Sequence, residues 1–546
     1  MTISRFPTTD TARPDATTRG GRDAGAPVNV SRRELVSLLT GACVTGAAAA
    51  GGLAVPGAAW AQAAPRKGGV LRVSAPANPS SLDPATGGAG SDHAFLFPIF
   101  STLIEWDYET LKPQPGLAES WSYPDNKTLL LNLRKGVTFH DGAPFDAEAV
   151  KFNIERAKTS QRSNIKADLA TVERVEIVGP HQVALKLTQA DSALPLILSD
   201  RAGMMVSPKA AQALGNEHDR KPVGAGPWKF VSWSDNQKIV VTRNDAYWRP
   251  GMPYLDGIEF AIIPELNTGL RSLIAKQNDF AYSLQPNQKQ VIDRAKGLKS
   301  VVGSTLYCQQ IYLNFGKGAL ADVRVRRALN HAVDRDTYVK LTMAGLGEAA
   351  WMNLPSTHWA YDKSLANCWP HDPELARKLL AEAGHKDGLE LSLLGYTDQA
   401  SVQRQEILIE QFRKAGIRAR FTNGSIAEKS AQYFVEKQGD GLLSAWTGRP
   451  DPSLSYALMY MKNAYFNASQ LEASPELTAA LLASRSLDDL EGRKRALAKV
   501  QKIVTDLALV VPLAFPPELV AMGPNVAGYK PSLLGKPKFD LISLTA

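Results

Sequence analysis

Residues 389–421 read LELSLLGYTDQASVQRQEILIEQFRKAGIRARF, and this stretch changes hydrophobic period twice. Residues 389–394 form a short apolar run that reads as a buried strand. Residues 399–415 carry apolar positions at helical spacing, and residues 417–421 return to alternation and read as a second strand. A strand, a helix and a strand in immediate succession imply parallel pairing, because only a crossover connection brings the second strand alongside the first in the same direction. That crossover is expected to be right-handed, with the helix covering the sheet.

Working outward, residues 323–335 read VRVRRALNHAVDR. Val325, Ala328, Leu329, Ala332 and Val333 fall on one helical face, while Arg324, Arg326 and Arg327 point elsewhere. Asp372-Pro373-Glu374 has the form of an N-cap followed by Pro at the first helical position, and Gly384 closes that helix. Two further helices are expected over 475–484 and 488–506, then a buried strand over 507–515. In the N-terminal half, 69–74 reads as a strand followed by a turn-rich loop at 78–84. Another strand is expected over 129–133, then a helix capped by Asp146 and running to about Lys158, then strands at 172–178 and 182–187 around Gly179-Pro180. A chain of 546 residues exceeds what one core fills, so more than one domain is expected.

The formal charge is +8. Six Arg, three Asp and one Glu precede residue 62, which leaves 56 basic and 50 acidic residues beyond it. With no block of Lys and Arg interleaved with aromatics, a nucleic acid is not an expected partner. The first 30 residues are polar and aperiodic. Ser31-Arg32-Arg33-Glu34-Leu35-Val36 and the Ala/Gly-rich run after it then look like a twin-arginine export signal, with cleavage expected near Ala61 or Ala63. The run is long enough to span a bilayer, but its glycines and Pro56 favour a cleaved signal. Of the three cysteines, Cys43 would leave with it. Cys308 and Cys368 could pair in an oxidising compartment or stay as separate thiols.

Signatures of catalysis are weak. Gly224-Ala225-Gly226-Pro227 is a G-x-G whose following Pro and missing third Gly mark a tight turn, not a dinucleotide site. Ser163-Asn164-Ile165-Lys166 matches a short nucleophile pattern without its companion motifs. The His residues form no i, i+4 pair on a helix, so neither a metal nor a cofactor is expected. An exported hydrolase whose catalytic groups meet only in the fold is the rival from another class; it predicts turnover where a receptor predicts stoichiometric binding.

Three blocks together resemble a known family. Gly224-Ala225-Gly226-Pro227-Trp228-Lys229-Phe230, Arg243-Asn244-Asp245-Ala246-Tyr247-Trp248 and Pro253-Tyr254-Leu255-Asp256-Gly257-Ile258 are similar to the signature of extracytoplasmic solute-binding proteins of peptide-type ABC importers, the family 5 dipeptide and oligopeptide binding proteins. The segments 323–335 and 372–384 are similar to two further family blocks. The resemblance implies an α/β, periplasmic-binding-protein-like fold of two lobes joined by a hinge, with an extra domain inserted in the first lobe. By motif order, 1–63 is leader and signal. Lobe I takes 66–105, 220–305 and 515–546, the inserted domain takes 106–219, and lobe II takes 306–514. It further implies a monomeric periplasmic receptor that holds a small-molecule or peptide ligand between its lobes and delivers it to a membrane permease.

In peptide-binding members the loop equivalent to residues 444–453, SAWTGRPDPS, carries an acid that receives the peptide's ammonium; here Arg449 stands about there. A guanidinium fork suits a carboxylate, with Trp446 as a hydrophobic wall. Alternatively, Arg449 pairs with Asp451 or Asp440 and holds the loop, or Asp451 faces the cleft and an ammonium ligand returns. Further cleft candidates are Asp92 and His93 after the turn-rich loop, Tyr312 and Asn314 on one face of an alternating segment, and Trp351.

Overall fold

The computed structural model describes residues 66–545. The leader, Cys43 and the cleavage site lie outside the described residues.

The opening stretch folds as its periods require. Leu389–Tyr396 and Ile417–Gly424 pair in parallel from Leu389 against Ile417 to Tyr396 against Gly424, and Gln399–Lys414 connects them. Asp398 caps this helix by accepting a hydrogen bond from the Ser401 amide at 2.9 Å, and Leu408 and Phe412 are fully buried beneath it. Burying each of those side chains contributes about 2 kcal/mol. The pair belongs to a six-stranded sheet ordered Glu348–Ala349, Val510–Phe515, Cys308–Leu313, Gly441–Trp446, Leu389–Tyr396, Ile417–Gly424. Its remaining pairings through Cys308–Leu313 and Val510–Phe515 are antiparallel, so the sheet is mixed.

A seven-stranded sheet runs Lys299–Gly303, Glu518–Met522, Phe280–Ala281, Val70–Ala75, Gly257–Ile262, Lys238–Arg243, Trp228–Ser234. Only the pairings of Val70–Ala75 with its two neighbours are parallel. A separate four-stranded antiparallel sheet takes Ala118–Asp125, Thr128–Leu133, Gln182–Leu187 and Val172–Gly179, and the helix Ala147–Thr159 packs on it with Asp146 as its cap. The seven- and six-stranded sheets are joined by two chain crossings, after Gly303 and after Phe515. The crossings lie against each other: Thr305 Oγ1 donates to the Pro516 carbonyl at 2.6 Å.

The last buried strand starts at Val510, not at residue 507: Leu507 caps the preceding helix, and Ala508 adopts φ +46°. Arg326 lies off the apolar face of Val323–His331 yet is buried, because its guanidinium donates to the Leu320, Ala321 and Leu507 carbonyls. Cys308 and Cys368 are free thiols with no disulfide between them. Among the described residues, no helix is long and apolar enough to cross a membrane.

Candidate functional site

A cavity of about 440 Å³ opens where segments attached to the three larger sheets converge. One wall is the glycine-rich loop at 87–90 with His93 and Lys536. A second holds Asn164, Ile165 and Asp168 with Ile197, Asp200 and Arg201. The third is the loop Thr447-Gly448-Arg449-Pro450-Asp451 with Leu454. The volume sits in the lower half of the range of ~300–1,000 Å³ usual for small-ligand sites.

The third wall is rigid for local reasons. Trp446 ends its strand, buries its ring edge-to-face against Phe466 at 5.0 Å and donates from Nε1 to Ser455 Oγ at 3.1 Å. Gly448 turns the chain with φ +77°, and a Cβ there would meet Leu306 Cβ at 2.6 Å, so no other residue fits. Asp451 then caps the helix Pro452–Tyr460: its Oδ1 accepts from the Ser453 amide at 2.9 Å and hydroxyl at 2.5 Å, and its Oδ2 accepts from Arg493 at 2.8 Å. Both partners of that ion pair are buried.

Arg449, between these anchors, is half-buried and lines the cavity. Its guanidinium lies 5.2 Å from the Trp446 ring and donates to the Gly448 carbonyl at 2.9 Å. Among the described residues it pairs with no carboxylate. Asp451 is taken by Arg493, and Asp440 faces Lys317 at 3.7 Å.

The charges of the other two walls are mostly engaged. Asp200 lies 2.5 Å from His93 Nε2 and 3.1 Å from Lys536 Nζ, and Lys536 is itself 3.0 Å from His93 Nε2. Burial would raise the Asp200 carboxyl, but the charges of His93 and Lys536 outweigh it and hold it well below the usual carboxylate range. Burial pushes both His93 and Lys536 down. Arg201 donates to the Gly87 and Ala89 carbonyls and to Asp92 at 3.1 Å. A Cβ on Gly87 would sit 2.9 Å from both Arg201 Nη1 and Asp92 Oδ2, so a larger residue there would displace the ends of this ion pair. Asp168 is the exception. Half-buried on the short turn Ala167–Leu169, its carboxylate accepts no hydrogen bond and joins no ion pair among the described residues. Burial raises its pKa, and the Arg449 charge opposes that rise.

Of the eight residues singled out in the sequence, His93, Arg449 and Asp451 line this cavity. Trp446 lies behind it, in contact with Arg449. Asp92 is fully buried, accepting from Ser80 and Arg201, and so shapes the wall from within. Tyr312 is buried elsewhere, 5.1 Å from the Phe434 ring, with its hydroxyl donating to the Ala445 carbonyl at 3.3 Å. Asn314 follows it into the Asp440 turn, its amide donating to the Asp440 carbonyl. Trp351 stacks 5.2 Å from Arg335 beside Trp369 and Tyr456, apart from the cavity. Asp168, Asp200, Arg201 and Lys536 carried no local sequence signal.

The chain matches the model of the bacterial extracellular solute-binding proteins, family 5 (middle region), over residues 112–467. It is 29% identical over 467 residues to the glutathione-binding protein GsiB of Salmonella paratyphi A, covering 83% of this chain and 90% of that one. Among solved structures it is similar to the ABC transporter-associated periplasmic binding protein DppA of Helicobacter pylori, in complex with the peptide STSA. That match has a TM-score of 0.74 and 24% identity, and covers 88% of this chain and 99% of that one. HbpA2 of Haemophilus parasuis superposes with a TM-score of 0.78 at 22% identity, over 88% of this chain and all of that one. The fold is thus that of the two-lobed periplasmic binding proteins.

Proposed function

The chain belongs to the bacterial extracellular solute-binding proteins of family 5, and on that premise we propose that it is the substrate-binding component of an ABC importer, holding one small carboxylate-bearing solute, a short peptide or a related organic acid, beside Arg449. The observation that carries this reading is the Arg449 guanidinium, which borders the cavity with no carboxylate partner among the described residues. Desolvating a guanidinium without a counter-charge is costly, and a ligand carboxylate supplies the missing charge with two parallel hydrogen bonds. The similarity to glutathione- and peptide-binding relatives supports a ligand of this size.

Segments 66–105, 220–305 and 515–546 act as lobe I, 106–219 as the inserted domain and 306–514 as lobe II. The two crossings joined by Thr305 and Pro516 act as the hinge. Ligand closes the lobes to the extent that it prefers the closed form, and the permease receives that form. The protein works as a monomer without cofactor or turnover, exported by the twin-arginine route.

Thermal melts of residues 64–546 against di- and tripeptides, glutathione, amino acids and mono- and dicarboxylates test the reading. A ligand at 100 times its Kd adds about 2.7 kcal/mol of stability. One such solute stabilising the protein, bound one to one and recovered unchanged, is the expected result. Hydrolysis of any of them would support the hydrolase instead.

A further inference from the structure

Resting on that reading of the cavity, we infer that Asp168 is a second ligand-binding group, which takes a cationic amine while Arg449 takes a carboxylate, so that the ligand is a small zwitterion held in a fixed direction across the cavity. The cavity's charged side chains are otherwise spoken for: Asp451 binds Arg493, Arg201 binds Asp92, and Asp200 binds Lys536 and His93. Two opposite charges remain, one on the turn Ala167–Leu169 and one on the loop after Gly441–Trp446, both lining the same cavity.

The unengaged cation stands on the loop after Gly441–Trp446 and the unengaged acid on the turn Ala167–Leu169, so a ligand with one carboxylate and one amine has a single favourable direction across the cavity. Asp168 suits an ammonium. Burial makes its lone carboxylate costly to ionise, and an amine within hydrogen-bonding distance would offset that cost, as a ligand carboxylate would for Arg449 on the other side.

Calorimetric titration with a chemical cycle tests this. The probes are glutathione and the dipeptide Met-Leu, each also as its N-acetyl derivative and its C-terminal amide, against the wild type, Asp168→Asn and Arg449→Ala. Wild type is expected to bind at least one free zwitterion, and to lose at least tenfold on either N-acetylation or amidation. Asp168→Asn should abolish the discrimination against acetylation and keep that against amidation, and Arg449→Ala should do the reverse. Because neither side chain anchors the fold, both variants should melt near the wild type.

If amine-free carboxylates bind best and depend on Arg449, the site stands and the zwitterion inference falls. If Asp168→Asn strengthens binding of amine-free probes without altering discrimination, Asp168 only pairs with Arg449, and the inference again falls. Binding that neither variant changes would remove the cavity reading itself, and no binding of any zwitterion would exclude the proposed ligand class.

Discussion

Asp451 Oδ2 lies 2.8 Å from Arg493, and both side chains are buried, so the loop that presents Arg449 is anchored by an ion pair at its far end. The same carboxylate caps the following helix, which removes Asp451 from the groups able to receive a ligand. Arg493 also donates to the Ser484 carbonyl at 3.2 Å, tying the loop to the end of the helix Pro475–Ser484.

Asp451→Asn is therefore expected to act on stability. Removing one partner of a buried pair strands the other charge, which costs about 3 kcal/mol. Urea denaturation reads this directly. An unchanged midpoint combined with lost ligand binding would instead return Asp451 to the site.

Arg449→Ala should do the opposite. Among the described residues the half-buried side chain makes one hydrogen bond, to its neighbour's carbonyl, and one ring contact, with Trp446, so stability should change by no more than about 1 kcal/mol. The melting shift produced by any carboxylate ligand should fall away in the same protein.

A second pair links the layers. Arg485 grips Asp191 with two hydrogen bonds, at 3.0 and 2.7 Å, and the Ser192 amide donates to the Arg485 carbonyl at 2.8 Å. Asp191 precedes the helix Leu194–Ile197, in the segment proposed as the inserted domain, and Arg485 follows Pro475–Ser484, in the segment proposed as lobe II; on that proposal the contact is made only in the closed form. Arg485→Ala should raise the Kd for glutathione or Met-Leu about 5- to 30-fold without touching the cavity, because closure then gains about 1–2 kcal/mol less. A double-mutant cycle with Asp191→Asn should show that the two losses are not additive.

Glu518 gives a pH dependence. It sits beside the second crossing, fully enclosed, accepting from the Tyr529 hydroxyl and the Ser532 amide, and burial pushes its carboxyl up to about 7. The folded protein holds this proton more tightly than the unfolded chain, so the stability it contributes is present below about pH 4.5 and is lost as pH rises through 7. The loss is on the order of 3 kcal/mol. Burial also lowers His140 to about 4 and His358 to about 3, and these groups give the opposite slope below about pH 6.5. The difference between wild type and Glu518→Gln across pH 5–8 isolates the carboxyl, and a flat difference would contradict the assignment.

Most of the fold was legible because its elements are strongly periodic and cleanly punctuated. The cap at Asp146, the helix opened by Asp372-Pro373 and the parallel pair around residues 399–414 all follow from local signals. The cavity was legible at two places: the wall where a Trp, a Gly and an Arg stand close in sequence, and His93 after the turn-rich loop. Asp168, Asp200, Arg201 and Lys536 come together from three distant segments, and an acid on a polar turn looks in sequence like any solvated one. Tyr312, Asn314 and Trp351 are aromatic or polar groups that the core absorbs, and alternation alone does not distinguish a buried face from a cleft face.

Titration calorimetry of glutathione and Met-Leu into residues 64–546, in the wild type and in Arg449→Ala, tests the central claim most directly. The account predicts one-to-one binding of at least one of them by the wild type, weakened tenfold or more by the substitution while the melting temperature of the free protein stays unchanged. Equal affinity in both proteins would contradict it.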